Sequence, residues 1–133
     1  MCLMTNMQRP YIAKEDITCY KVVYLVSSIC ENYPRFHSIY FNYNYVFNGN
    51  EVKTGDFPFK IQGWTVNNGF HSYSRIGYAE SVCKMDNNPN KVIIKCVIPK
   101  GASYYVSTGE GEYCSNRIKI VGWKECGEKT WRE

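Results

Sequence analysis

The sequence predicts a single α+β domain that is mainly β, with a twisted mixed or antiparallel sheet and one or two short helices. Segment 92–98 is apolar apart from Lys95, which is typical of a buried central strand. Apolar residues between positions 74 and 85 instead recur at helical spacing. Strand-like runs on both sides of this segment indicate a helix packed against a sheet.

The size and charge of the chain limit the classes of function. With 133 residues and 44% hydrophobic content, it fits one ordinary domain. We expect an N-terminal arm over residues 1–14, the domain over residues 15–124 and a loose polar tail over residues 125–133. A net charge of +4 is mild, so duplex nucleic acid is not an expected partner. No apolar run approaches the ~20 residues that span a membrane, so a soluble, cytoplasmic protein is expected.

The cysteines favour reduced thiols over a disulfide scaffold. Their number, seven, is odd, and the sequence contains no Cys-x-x-Cys motif. Cys19 and Cys96 lie within predicted strands, where a thiol behaves as a small buried hydrophobic group. No metal site is predicted.

The first half of the chain predicts three strands. Segment 17–26 is β-branched and aromatic with Lys21 as its only charge, so it is expected to be largely buried. Segment 39–47 alternates, and Asn48-Gly49-Asn50 is a hairpin signal that should return the chain through residues 51–54.

The second half predicts a weaker strand around 59–66, a helix after Ser74, and strands over 92–98, 103–107 and 117–123. Ser72 or Ser74 is the expected N-cap of the helix, because a serine side chain accepts the first free amide protons.

The junction between strand and helix is the first candidate site. His71, Ser72, Tyr73 and Ser74 place an imidazole and three hydroxyls beside the unpaired amides of a helix start, which favour anionic ligands. Each residue also has a structural interpretation. The imidazole can be satisfied by a neighbouring carbonyl, and the serines can simply cap the helix.

Two other features suggest binding. Glu110 and Glu112 form a Glu-Gly-Glu unit, whose carboxylates can orient a ribose or a hydroxyl, although a mobile acidic turn has the same composition. A row of aromatic residues could stack unpaired bases, although core packing explains such a stripe equally well. Its members are Phe41, Tyr43, Tyr45 and Phe47. The sequence contains no P-loop, dinucleotide fingerprint, zinc-protease helix or Gly-x-Ser-x-Gly motif.

Taken in order, the first strand, the segment Gly69-Phe70-His71-Ser72-Tyr73-Ser74, the strand before Pro99-Lys100-Gly101, and Glu110-Gly111-Glu112 resemble ADP-ribosyltransferase-like domains. That resemblance implies NAD or a related nucleotide as ligand. It also implies catalytic roles for Glu110 and Glu112, while Lys21 and His71 stand where the family has other residues. The opening Cys2-Leu3-Met4-Thr5 and segments 17–22 and 98–118 also look like small uncharacterised proteins of gut Bacteroidales and their phages, which implies a bacterial host cell and a role in phage–host conflict.

The sequence-based hypothesis is binding rather than catalysis. A small nucleotide-derived ligand or a host partner protein is expected beside His71, Ser72 and Tyr73, with no certain cofactor. Lys21 and Lys100 would offset ligand charge, and Tyr20 and Tyr73 would stack on it. The alternatives are an ADP-ribosyltransferase-like enzyme that uses NAD, and a virion or scaffold module that forms homo-oligomers.

Overall fold

A computed structural model describes residues 3–26, 35–38, 44–46, 51–53, 59–85 and 88–132. These residues form strands and one helix, α1, which spans Ile76–Cys83. The strands in chain order are β1 (Leu3–Met4), β2 (Tyr11–Ile12), β3 (Ile17–Val26), β4 (Arg35–Ser38), β5 (Asn44–Val46), β6 (Glu51–Lys53), β7 (Lys60–Gln62), β8 (Thr65–Asn67), β9 (Phe70–Tyr73), β10 (Lys91–Ile98), β11 (Ser103–Val106), β12 (Glu112–Ser115) and β13 (Arg117–Glu125). The prediction of a mainly β domain with a short helix is confirmed.

Two antiparallel sheets contain these strands. The large sheet has the order β2-β11-β12-β9-β3-β10-β13-β6, with β4 beside β3 and β5 beside β4. The small sheet has the order β1-β8-β7. β10 lies between β3 and β13, so the predicted central strand is confirmed, and Lys91–Ile98 pairs along its whole length with β3.

The large sheet curls around an inner core. Phe36 on β4 and Trp123 on β13 have ring centroids 5.8 Å apart, although β3 and β10 lie between their strands. In a flat sheet three strand spacings would separate them by about 14 Å. Because side chains alternate between the two faces of a strand, each strand contributes the side chains of one face to this core. Its buried members are Ala13, Cys19, Val23, Phe36, Phe70, Val92, Ile94, Cys96, Ile98, Ala102, Ile118 and Ile120.

The opposite face of the sheet is covered in two parts. Helix α1 packs Ala79 and Cys83 against Val22 and Ile93. The small sheet covers the region of β11 and β12, where Leu3, Val66, Tyr105 and Cys114 are buried together.

Both chain ends are folded onto the domain. The predicted arm contributes β1 and β2, and buries Leu3 and Ala13, because its apolar residues find places in two separate cores. The predicted polar tail turns back after β13, where Arg132 pairs with Trp123 through two backbone hydrogen bonds of 3.0 and 2.8 Å. We call residues 126–132 the C-terminal hook. Its Trp131 is half-buried, so the ends form part of the domain.

Three local expectations require correction. Glu51–Lys53 pairs with β13 and Asn44–Val46 pairs with β4, so the predicted hairpin between them is replaced by longer-range pairing. Residues 47–50 lie outside the described residues. The segment expected to be one strand around 59–66 is a hairpin turned at Gly63, which has a φ of +59°. The N-cap of α1 is Arg75, without a side-chain cap, because Ser72 belongs to β9 and Ser74 bonds elsewhere.

The cysteines differ in part from the expectation of reduced thiols. Cys83, at the end of α1, and Cys126, at the start of the hook, form a disulfide across 43 positions, with Cα atoms 5.9 Å apart. Tertiary packing brings α1 and the hook together, and the spacing of cysteines in the sequence does not reveal this contact. Cys19, Cys96 and Cys114 are free and buried, as expected for Cys19 and Cys96.

Candidate functional site

Strand β9 divides the predicted site between two faces of the sheet. Successive side chains of a strand point to opposite faces. Ser72 shares the inner-core face with Phe70, whereas Tyr73 packs beside helix α1, and His71 lies on the same face as Tyr73. His71 and Ser72 are buried, and Tyr73 is half-buried. The three side chains therefore do not line one common pocket.

The His71 imidazole has partners within the domain. Its Nε2 lies 3.0 Å from the carbonyl oxygen of Asn68 and 3.6 Å from Sγ of Cys114. Burial, reinforced by the positive charge of Lys21, lowers the pKa of His71 to about 4. The ring is thus neutral near pH 7 and satisfied by a backbone carbonyl, which was the structural interpretation of this residue.

A tight turn leads into β9. Asn68 and Gly69 both have positive φ, of 62° and 75°. A Cβ at Gly69 would lie 2.7 Å from Sγ of Cys114 and 2.8 Å from Cε1 of Phe59. Only glycine fits here, since other residues would meet both backbone strain and a steric clash.

Polar groups from β3, β9 and β12 lie within the inner core. Lys21 is buried, and its Nζ donates a hydrogen bond to the carbonyl of His71. Burial lowers the pKa of Lys21. Among the described residues, the Ser115 hydroxyl is buried without a hydrogen-bond partner, whereas the buried Ser72 hydroxyl lies beside the Cys19 thiol. These residues stand in a sealed interior, away from a surface where a ligand could reach them directly.

The Cys19 thiol lies within this interior cluster. Burial by itself would raise its pKa, but the Cys96 thiol, the Ser72 hydroxyl and the Lys21 charge together lower it. Burial is also the largest cause of the strongly raised pKa of Cys96. The proton therefore leaves Cys19 first, although both sulfur atoms are enclosed by the sheet.

A row of side chains crosses the face that carries α1. Glu112 on β12 is directly opposite Tyr73 on β9, Tyr73 is opposite Tyr20 on β3, and Tyr20 is opposite Lys95 on β10. All four residues are half-buried. Directly opposed side chains on one face of a sheet lie about 5 Å apart. We call this set, Glu112, Tyr73, Tyr20 and Lys95, the aromatic row.

The charged ends of the aromatic row differ in environment. Burial raises the pKa of Glu112, so this carboxyl group holds its proton to a higher pH than an exposed one. Lys95 has its Nζ 5.6 Å from the ring centroid of Trp131, a distance typical of cation–π contact. The row thus presents an acid at one end, two phenol rings in the middle and an amine at the other end.

Trp131 of the C-terminal hook adds an indole to the aromatic row. Its ring stacks on Tyr20, with centroids 6.0 Å apart and an interplanar angle of 26°. The Nζ of Lys124 lies 5.0 Å from the same indole and 3.3 Å from Oε1 of Glu80 on α1. The hook thus places an aromatic ring and a second amine beside Lys95.

The other predicted site residues are separate from the row or lie at its margin. Lys100 is exposed and lies five residues beyond Lys95, about 16 Å along the strand direction. Ser74 donates its hydroxyl to the carbonyl of Glu110 at 3.0 Å, and Glu110 is exposed with a φ of 59°. This contact holds the turn before Glu112 against the start of α1.

Sequence reasoning found Tyr20, Tyr73 and Glu112 but missed Lys95 and Trp131. Lys95 was visible as the one charge within the apolar run 92–98, a signal that a side chain faces outward there. Trp131 lay in a segment expected to be a loose tail. A large aromatic residue near a cysteine in such a segment is a sign that the segment is docked.

Comparisons with known proteins leave the function to be argued from the site itself. No protein-family model matches the chain, and neither a curated protein nor a solved structure matches it. Within the described ranges, no group of three or more His, Cys, Asp or Glu residues is arranged to hold a metal ion. No helix in those ranges has the length and apolar character needed to cross a bilayer.

Proposed function

We propose that the protein binds a small nucleotide-derived ligand on the aromatic row. The observation that carries this proposal is the continuous register from Glu112 through Tyr73 and Tyr20 to Lys95. Four chemically complementary side chains stand side by side on one half-buried face. A planar base has the shape to contact the phenol rings, and its sugar and phosphate have partners at the two ends.

Each part of the row has a role in this proposal. Stacking of a base on an aromatic side chain is worth about 1 to 3 kcal/mol. The Lys95 ammonium would form a charge-assisted hydrogen bond with a phosphate oxygen. The Glu112 carboxyl group would bond to a ribose hydroxyl, or to an exocyclic amine of the base.

The location, biological role and partner of the protein are further proposals. Location in the cytoplasm of a bacterial host, a role in phage–host conflict and a host protein as partner are proposed from the resemblance stated above. Under this proposal His71, Ser72 and Lys21 support β9 and β3 from within the sheet and do not contact the ligand. A homo-oligomeric scaffold module is the competing proposal, and predicts no gain in melting temperature with any nucleotide.

Calorimetric titration with adenosine monophosphate, ADP-ribose and NAD tests the binding proposal. We expect saturable binding of at least one, and a loss of roughly tenfold or more in affinity in Tyr73→Ala, which removes about 1.4 kcal/mol or more of stacking. Tyr11→Ala is the matched control, because Tyr11 is an exposed tyrosine on the edge strand β2, which contributes no residue to the aromatic row. Equal affinity in the two variants would contradict the assignment of the row.

An ADP-ribosyltransferase-like activity is a second proposal for the same face. Its support is the position of Glu112 at the end of the row, where a carboxyl group would reach the ribose of a stacked dinucleotide. The measurement is release of nicotinamide from NAD, compared between the natural protein and Glu112→Gln. Binding of NAD without nicotinamide release would leave the binding proposal and exclude the enzyme.

A further inference from the structure

We infer that the Cys83–Cys126 disulfide controls ligand binding on the aromatic row, so that the bridged protein binds and the reduced protein binds weakly. The inference rests on the proposed function, and adds its regulation. Trp131 stacks on Tyr20 and lies under Lys95, so it is an integral wall of the proposed site. Trp131 is also five residues from Cys126, within the segment that the disulfide fastens.

The bridge joins α1 to the C-terminal hook, two short elements of the domain. Helix α1 has eight residues, of which only Ala79 and Cys83 are buried. A helix of two turns is marginal by itself and depends on what it packs against. A polar link between α1 and the end of β13 is the pair of Lys124 and Glu80, and the Glu80 side chain is 39% exposed, so water weakens it.

The hook has its own contacts, and these fix it to β13: near its beginning, Glu128 accepts hydrogen bonds from Lys124 Nζ at 2.8 Å and from the Glu125 amide at 3.1 Å. The backbone pairing of Arg132 with Trp123 and the Arg132 guanidinium, 4.3 Å from the Trp123 ring centroid, hold its end to β13. The disulfide holds its beginning to α1, on the face where the aromatic row lies. Without the bridge, the hook keeps its links to β13, but its position against α1, and with it the position of Trp131 over Tyr20, depends on one ring stack, two cation–π contacts and apolar packing. Such contacts are individually weak, so the docked population should fall on reduction.

Reduction would proceed by thiol–disulfide exchange with a dithiol. Cys126 is half-buried and Cys83 is 3% exposed, so the attacking thiolate reaches Sγ of Cys126. The S–S bond breaks, its electron pair passes to Sγ of Cys83, and that sulfur takes up a proton. The second thiol of the reductant then attacks the mixed disulfide and frees Cys126 as a thiol, which takes up the second proton. The dithiol becomes a disulfide, and two electrons have moved to the protein.

The proposed cytoplasmic location is one in which this disulfide can be reduced. Disulfides that form in a cytosol are usually transient and catalytic or redox-sensing, because the compartment keeps thiols reduced. A bridge next to a ligand site in a cytoplasmic protein would therefore report the redox state through ligand affinity.

The experiment compares the bridged protein, the same protein reduced with dithiothreitol, and the double variant Cys83→Ala/Cys126→Ala. ADP-ribose, adenosine monophosphate and NAD are titrated into each, in a Trp64→Phe background. Trp64 is 63% exposed, so its removal leaves a fluorescence signal more sensitive to Trp131. We expect roughly tenfold weaker binding in both unbridged forms, as for a docked fraction that falls from near one to about a tenth. Emission of Trp131 should shift to longer wavelength in parallel.

A second variant keeps the test decisive even if the unbridged protein is unstable. Bridged Trp131→Ala should lose affinity to a similar extent, with the disulfide confirmed intact by mass spectrometry. Equal affinity in bridged, reduced and Trp131→Ala proteins would overturn the redox inference and leave the binding proposal standing. Failure of every form, including the bridged natural protein, to bind any of the three nucleotides would overturn both.

Discussion

Removal of the disulfide should cost the domain a large part of its stability. The perturbation is Cys83→Ala/Cys126→Ala, with alanine chosen because it leaves no hydroxyl in the buried position of Cys83. The bridge closes a loop of 43 positions. In the chain-entropy treatment, a loop of that size lowers the entropy of the unfolded chain by about 13 cal/mol/K, or about 4 kcal/mol at 25 °C.

This loss is large against the 5 to 15 kcal/mol of an ordinary domain. For 133 residues, an unfolding entropy of about 0.28 kcal/mol/K converts it into a fall of about 14 °C in melting temperature. Urea unfolding followed by circular dichroism measures the free energy directly, with the oxidised natural protein as reference. The same protein in dithiothreitol should match the double variant. A loss below about 1 kcal/mol would refute the reasoning, because the bridge would then not restrict the unfolded chain.

Three smaller perturbations test the interior of the sheet. Gly69→Ala should lower the free energy of unfolding by about 3 kcal/mol through strain and clash, whereas Gly63→Ala meets open space and should lose only about 1 kcal/mol of strain. Equal losses on urea unfolding would contradict the close approach at Gly69. Ser115→Ala should raise stability by about 1 kcal/mol, because it removes a buried hydroxyl that has no hydrogen-bond partner, while Ser74→Ala loses a hydrogen bond and should be slightly destabilised. The depressed pKa of His71 means that the unfolded chain binds its proton first, so stability is full above pH 6.5 and falls by about 3 kcal/mol as the pH drops to 4. His71→Gln should flatten that slope in urea unfolding at stepped pH, and an unchanged slope would place its origin elsewhere.

The buried strands were predictable because their sequence pattern is local. β3 and β10 are buried on both faces over much of their length, so they appear as continuous apolar runs whatever strands lie beside them. The free, buried state of Cys19 and Cys96 follows from the same runs. Their direct opposition across the ladder does not, because it depends on the register of two segments more than seventy residues apart.

Local turn chemistry was a weaker guide. The Asn48-Gly49-Asn50 signal favours a two-stranded hairpin, but an isolated hairpin is only marginally stable. Glu51–Lys53 instead pairs with β13 at the edge of the large sheet, where the partner strand is already held by β10. The gain from extending an existing sheet exceeds the preference of a turn for its own two flanks.

The candidate site shows why neighbours in sequence are poor guides within a strand. His71-Ser72-Tyr73 appeared to be one constellation, yet the period of two sends adjacent side chains to opposite faces. The residues that do lie together, Tyr73 and Glu112 for instance, are neighbours across strands rather than along one. Such a set is defined only by strand order and register, and a slip of one residue would exchange its members for those of the other face.

Strand β13 contains a β-bulge, which an alternating sequence pattern does not predict. The ladder with β10 shifts register between Lys95 and Cys96, so that Gly122 opposes Lys95 and Ile120 opposes Cys96. This bulge changes which positions face inward, because Ile120 and Trp123 both reach the inner core although strict alternation would separate them. Lys124 is thereby turned to the α1 side, within 5.0 Å of the Trp131 ring centroid. One extra residue in β13 thus decides which face of the sheet receives the second amine beside the aromatic row.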